Sequence, residues 1–265
     1  MTGIKKKLII AGISVAALIV VAFIVLAGIY FFAPKSDPKY VAHRGYSRAY
    51  VGNTEEAFRA ATEMSYWGIE TDVQKTSDGK YVCNHDDTAK YADGDEKEVA
   101  TSTFADLMSK PLKNDKTDTD VYLCTFETYL DVCKSGNKVA VIELKQDFDI
   151  EEVREIIEIV KAHYSLDGVC FISFYYDPLL LIREEEPTAD MQYLSETKGD
   201  PVFDRCLEDK ISISIRQSIL TKKIVDTFHD AGLEVNTWTV NKKFDRNFVR
   251  LKGVDYITSD VFCEN

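Results

Sequence analysis

The chain has no C-x-x-C pair, no internal repeat, no low-complexity tract and no excess of basic charge. Its six cysteines, at 83, 124, 133, 170, 206 and 263, stand singly, so the paired-ligand spacing of a structural zinc site is missing. Several lie in apolar runs and read as small buried hydrophobes. In an exported domain a disulfide or two would also be in keeping. A net charge of −12 argues against a nucleic-acid partner, which calls for a basic surface. An anionic substrate would have to be captured by local Arg, Lys and metal charge, because the field of the whole protein repels it.

Charge is also missing from Leu8 to Phe32. Roughly 20 apolar residues at about 1.5 Å each suffice to cross a bilayer, so this run is expected to be a single transmembrane helix. Lys5, Lys6 and Lys7 precede it, which favours a cytoplasmic N-terminus and a domain on the far side of the cell membrane. A cleaved signal peptide is the alternative, although the apolar run exceeds the about 7–15 residues usual for one. The expected organisation is a basic tail at 1–7, an anchor at 8–32, a linker at 33–38 and one domain at 39–265, which is barrel-sized.

What is present in that domain is a regular alternation. Strand-like apolar runs recur at Tyr40–Ala42, Gly68–Val73, Val139–Leu144, Val169–Phe174, Met191–Leu194, Ile211–Ile215, Val235–Val240 and Asp255–Ile257. Helical stretches are expected at Glu55–Ser65, Thr125–Lys134, Asp149–His163 and Thr221–Ala231, the last stopped by Gly232. Eight strands alternating with helices are the arithmetic of an α/β fold, a (β/α)8 TIM barrel. The polar, Asp/Lys-rich segment 86–120 follows an extra strand at Lys80–Asn84 and is expected to form a small inserted lobe over the barrel mouth.

Polar residues cluster at the downstream ends of the apolar runs, where barrel active sites gather. His43 and Arg44 follow the first run, and His85 and Asp86 follow the extra strand. Glu70 and Asp72 stand one residue apart, so on a strand both point to one face while Ile69 and Val73 point to the other. Two carboxylates that close repel, and a divalent cation between them removes the repulsion. An exposed edge strand would be the plainer explanation for the pair taken alone. Glu143 and Lys145 repeat the spacing of two after Val139–Ile142. His163 and His229 lie in helical stretches without acidic partners at metal spacing and are assigned to surface or packing roles.

In order along the chain come His43-Arg44-Gly45, Asn53-Thr54-Glu55-Glu56-Ala57-Phe58, Glu70-x-Asp72-Val73, Asp78-Gly79, His85-Asp86, Thr125-Phe126-Glu127 and Glu143-Leu144-Lys145. Ile172-Ser173-Phe174, Trp238-Thr239-Val240-Asn241 and Ile257-Thr258-Ser259-Asp260 complete the series. From about Tyr40 to Asp260 the sequence resembles the glycerophosphodiester phosphodiesterase family. The resemblance implies a metal-dependent barrel that hydrolyses glycerophosphodiesters to glycerol 3-phosphate and an alcohol. It implies metal ligation by Glu70, Asp72 and Glu143, acid/base work by His43 and His85, phosphate binding by Arg44 and Lys145, and Trp238 on the glycerol or leaving-group side. The sequence departs from the family pattern in two places. Val51-Gly52 replaces the usual Pro-Glu, removing a rim carboxylate, and Cys124 replaces a proline before Thr125.

The chemistry fits these residue types. All-oxygen ligands favour a hard cation, Ca2+ or Mg2+. Arg44 can fork onto phosphate oxygens and Lys145 adds a point charge. Two histidines can divide proton removal and proton donation between them. Arg44 and Lys145 could instead serve as ion-pair partners of core carboxylates, and Trp238 could be core packing. A phospholipase-like action on intact lipids or glycerophosphate polymers is the alternative activity, motivated by the anchor.

Overall fold

The computed structural model describes residues 17–25, 27–28 and 35–261. The expected tail at 1–7 and most of the expected span at 8–32 lie outside these residues, as does Cys263. The described part of the span, 17–25, is helical, with Leu18, Ile19 and Phe23 exposed. Among the described residues no helix is long and apolar enough to cross a membrane.

Eight parallel strands close on themselves. They are β1 (Lys39–Ala42), β2 (Gly68–Lys75), β7 (Val139–Leu144), β8 (Val169–Ser173), β9 (Asp190–Ser195), β10 (Ser212–Arg216), β11 (Val235–Trp238) and β12 (Tyr256–Ser259). Each pairs with the next in that order, and β12 returns to β1, with Ala42 opposite Ser259. The α/β barrel expected from the alternation is therefore present. Two short antiparallel strands, β3 (Tyr81–Cys83) and β6 (Cys124–Thr125), extend the sheet beyond β2.

Local chemistry sets the helix starts. Thr54 caps α1 (Glu55–Thr62), Thr125 caps α3 (Phe126–Ser135), and Thr221 caps α7 (Lys222–Asp230), each cap contributing about 1 kcal/mol. Asp149 and Glu152 form a reciprocal capping box on α4 (Ile150–His163). Cys124 stands where the family has proline, yet the Thr125 cap is intact.

Three helices around the barrel were not foreseen. The Pro178 of α5 (Tyr176–Glu185) sits in the first turn, where its missing N–H costs nothing. The helix α6 (Val202–Glu208) is short, and α8 (Lys243–Arg250) buries Val249 alone, so neither shows an apolar stripe.

The principal core lies between the barrel's outer face and the helices, and includes Phe58, Ile69, Val73, Tyr129, Ile142, Phe171, Ile213 and Phe228. Segment 86–120 forms a hairpin, β4 (Thr88–Lys90) with β5 (Glu96–Glu98), and one short helix, α2 (Phe104–Leu107). A second core of Val82, Ala89, Tyr91, Val99, Leu107, Leu112, Val121 and Leu123 packs it together. The five described cysteines are all free and buried, as small hydrophobes would be.

Candidate active site

Strand alternation builds the acidic floor. Ile69 and Val73 join the outer core, while Glu70 and Asp72 turn inward and are 2% and 0% exposed. That removes the exposed-edge explanation. In the parallel ladder between β2 and β7, Asp72 is the register partner of Glu143. Glu70, Asp72 and Glu143 offer carboxylate oxygens all within 4.8 Å of one another.

Three buried carboxylates this close disturb one another's titration. Burial and then the charges of Asp72 and Glu143 push Glu70 well above the usual carboxylate range. Burial, with Asp72 beside it, pushes Glu143 up to about 7. Burial would raise Asp72 too, but Arg44, Lys145, His85 and the Asn53 hydrogen bond together hold Asp72 low. The Oδ1 of Asp72 is buried without a hydrogen-bond partner. An orphaned acceptor between two other carboxylates fits a hard divalent cation held by oxygen ligands.

Arg44 and Lys145 both reach this floor. Arg44 Nε lies 3.2 Å from Asp72 Oδ2, an ion pair without hydrogen-bond geometry. Lys145 Nζ lies 3.0 Å from Glu143 Oε1 and 3.6 Å from Asp72 Oδ1. Arg44 has φ +56°, a conformation uncommon for a residue with a side chain. It directs the Arg44 amide onto Glu70 Oε2 at 2.7 Å.

The neighbouring Gly45, at φ +77°, is required sterically. A Cβ there would come within 2.6 Å of the Ala57 backbone. Asn53, at φ +61°, donates to Asp72 Oδ2 at 2.7 Å and accepts from Thr71. At the departure Val51-Gly52, an added Cβ on Gly52 would come within 3.0 Å of Arg44 Cβ.

Each imidazole is backed by a carboxylate. His43 Nδ1 lies 2.6 Å from Asp260 Oδ1 across the seam where β12 meets β1. Burial would raise Asp260, but hydrogen bonds from His43, Asn241 and Ser47 hold it down at about 2. Asp260 is therefore ionised at neutral pH, Nδ1 of His43 carries the proton, and Nε2 is left for the site. His85 Nδ1 lies 2.8 Å from Asp86 Oδ1, and Lys90 in turn holds Asp86. Burial, and then Arg44, keep His85 below its ordinary range against the pull of Asp72.

These groups border one cavity of about 190 Å³, lined by His43, Arg44, Glu70, His85, Glu143 and Trp238 among others. Two further cavities share its lining, one of about 550 Å³ bordered by His43, Arg44 and Asp260, and one of about 530 Å³ bordered by His85, Glu143, Lys145 and Tyr175. Trp238 serves two purposes. Its Nε1 donates to Ser214 O at 3.1 Å and its body packs near Ile172 and Leu194. Its ring also meets Phe174 edge-on, centroids 5.8 Å apart, at the cavity wall. A separate cavity of about 420 Å³, lined by Trp67, Asp190, Gln192 and Glu234, opens at the other pole of the barrel.

The eight expected site residues thus converge. His163 and His229 lie elsewhere, partnered by Asp131 and Asp255 at the surface. Sequence reasoning assigned no role to Asp260, Asn241, Asn53 or Phe174, although Asp260, Asn241 and Phe174 stand at strand ends within the quoted motifs.

Residues 43–262 match the model of the glycerophosphoryl diester phosphodiesterase family. The chain belongs to that family. A glycerophosphodiester phosphodiesterase of Bacillus altitudinis is 28% identical over 235 residues, covering 84% of this chain and 94% of the relative. One from Caldanaerobacter subterraneus subsp. tengcongensis is 25% identical over 227 residues, covering 83% and 93%. Among solved structures, a phosphodiesterase of Oleispira antarctica, in complex with sn-glycerol-3-phosphate, superposes with a TM-score of 0.74 at 24% identity, over 84% of this chain and 93% of that one. Family membership makes this chain a phosphoric diester hydrolase.

Proposed function

We propose that this chain hydrolyses glycerophosphodiesters to glycerol 3-phosphate and an alcohol, with a Ca2+ or Mg2+ ion held by Glu70, Asp72 and Glu143. The observation that carries the reading is that two carboxylate-backed imidazoles, His43 and His85, border one cavity floored by the acidic trio. The Oleispira antarctica relative was captured with the corresponding phosphate product, which supports the same reaction class.

The chemistry a bound hard cation supplies here is charge neutralisation at a phosphate oxygen. The chain's own residues do the rest. Arg44 and Lys145 offer positive charge beside the phosphate. One neutral imidazole takes the proton of the attacking hydroxyl, from water or from the neighbouring glycerol carbon, as the new P–O bond forms. The other, as imidazolium, gives a proton to the departing alkoxide as the old P–O bond breaks. Where the glycerol hydroxyl attacks, the product of this step is a cyclic phosphate, and a water then opens its ring with the two imidazoles in reversed roles to give glycerol 3-phosphate. Each transfer contributes roughly 10²–10⁴-fold. Trp238 and Phe174 form the apolar wall against which the carbon part of the diester rests.

The test is release of glycerol 3-phosphate from glycerophosphocholine by the full chain with Ca2+ or Mg2+ added. Chelator should abolish it, and His43→Ala or His85→Ala should each lower turnover about 10²–10⁴-fold. Undiminished turnover in both variants would remove the mechanism. Intact phosphatidylglycerol, assayed beside its deacylated head group, separates this activity from a phospholipase-like one.

The chain is further proposed to be a single-pass cell-membrane protein with its barrel outside the cytoplasm. The charge-free run from Leu8 to Phe32 and the basic residues before it support this. Carbonate-resistant membrane association, with protease access to the barrel from outside, is the expected outcome.

A further inference from the structure

We infer that the outer face of α8 (Lys243–Arg250), together with Lys252, is a docking surface for an anionic lipid bilayer. Its charge opposes that of the protein. The whole chain carries −12, yet residues 242–252 hold five basic side chains, Lys242, Lys243, Arg246, Arg250 and Lys252, against Asp245 alone. Arg250 also stands 3.8 Å from Asp37, and Lys252 Nζ donates to Leu220 O at 2.8 Å, so Lys242 and Lys243 are the exposed cations and the others are half-buried beside them.

The apolar component lies among those charges. Phe244 and Phe248, one helical turn apart, stack with centroids 6.1 Å apart at 21° and remain 61% and 50% exposed. Lys252 Nζ stands 5.3 Å from the Phe248 ring centroid. Aromatic side chains framed by Lys and Arg on one helix face are the composition of an interfacial helix, and basic groups are attracted to an anionic leaflet.

Intrinsic helix chemistry does not account for the charges. Lys242 occupies the N-cap and makes no side-chain cap bond. Both it and Lys243 sit where the macrodipole favours acidic groups. They are locally unfavourable for α8 itself, and an external anion reverses that sign.

The occupant is also indicated by where the chain enters the barrel. Ser36 N–H donates to Arg250 O at 3.0 Å, and Arg250 Nε donates to Ser36 O at 2.9 Å. The base of α8 is therefore tied to the segment arriving from the apolar N-terminal residues. Gly28 and Ser36 are eight positions apart and so no more than about 29 Å apart along the chain. A bilayer associated with the N-terminal residues is within reach of α8. The inference concerns orientation on that surface and holds whichever substrate the site takes.

Full-length protein is placed one copy per nanodisc, in phosphatidylglycerol and separately in phosphatidylcholine, and compared with protein in detergent by amide hydrogen exchange. Residues 242–252 are expected to exchange at least about tenfold more slowly in phosphatidylglycerol than in the other two. The difference should vanish in the variant Lys242→Gln/Lys243→Gln/Phe244→Ser/Phe248→Ser. That variant should keep turnover of a soluble diester within about twofold, which shows that the barrel is intact. Equal protection in all three media would mean that the chain itself covers this face, and would overturn the proposal. So would equal protection in both lipids, which uses no charge, or protection in none. Protection that appears only when two copies share a disc would assign the face to self-association and overturn it likewise.

Discussion

Asp72 and Glu143 are register partners on adjacent parallel strands, with both side chains turned into the barrel mouth beside Glu70. The ladder itself fixes their proximity, so the cost of placing like charges together is built into the fold. Glu143 at about 7, and Glu70 above its ordinary range, bind more protons folded than unfolded. Stability from these two groups is fully present below pH about 4.5 and is lost as pH rises through about 7. Chelator-treated protein should therefore melt at lower temperature at pH 8 than at pH 5.5. Added Ca2+ or Mg2+ should restore the loss mainly at the higher pH. Calorimetry in buffers of differing ionisation enthalpy should show protons released on cation binding near pH 7, and a pH-independent affinity would contradict this account.

Asp260→Asn tests the seam between the first and last barrel strands. The substitution keeps the shape but removes the charge that fixes the His43 tautomer. We expect turnover to fall about ten- to a hundredfold, part of what a general acid or base contributes. Turnover that does not fall would mean that the contact is only structural.

Trp238→Ala and Phe174→Ala remove the two rings that meet edge-on at the cavity wall. Such a pair contributes about 0.5–1.5 kcal/mol beyond area burial, so KM should rise about tenfold while kcat changes less. The result to watch for is an equal loss in both constants, which would give the rings a role in the chemical step.

Gly45→Ala should destabilise the fold by about 1–3 kcal/mol, read as a lowered midpoint in urea. The strain arises from φ +77° and from the approach to Ala57, so the motif's glycine is explained by backbone space. Gly94→Ala, also at positive φ but with nothing within 4 Å of the added carbon, is the milder control.

The five buried thiols predict a chemical silence. Burial pushes Cys206 up to about 12 and raises Cys133 and Cys170 as well, so thiolate is scarce at neutral pH. In native protein these five should not react with a thiol reagent, and they should titrate only on unfolding. Reductant should leave the melting temperature unchanged.

Much of this was legible because the barrel writes its periodicity plainly. Glu70 and Asp72 alternate with Ile69 and Val73, and the period of two assigns inside and outside without reference to the rest of the chain. The ends of strands told where polar residues would gather. What could not be read was whatever depends on closure. Asp260 meets His43 only because β12 pairs with β1, across almost the whole length of the chain. Asn53-Thr54 reads as a helix cap, and Thr54 does cap α1, but nothing in the sequence shows that Asn53 turns through a left-handed conformation to hold Asp72. The helix α8 was missed for a different reason, since its exposed rings and charges follow no buried stripe.

That late pairing has a consequence for biosynthesis. Until the ribosome has delivered residue 260, no carboxylate stands ready for the imidazole at position 43, and the cylinder has an open flank. A growing polypeptide is therefore catalytically mute until β12 has emerged, and hydrolytic competence arrives in one step with completion of the ring.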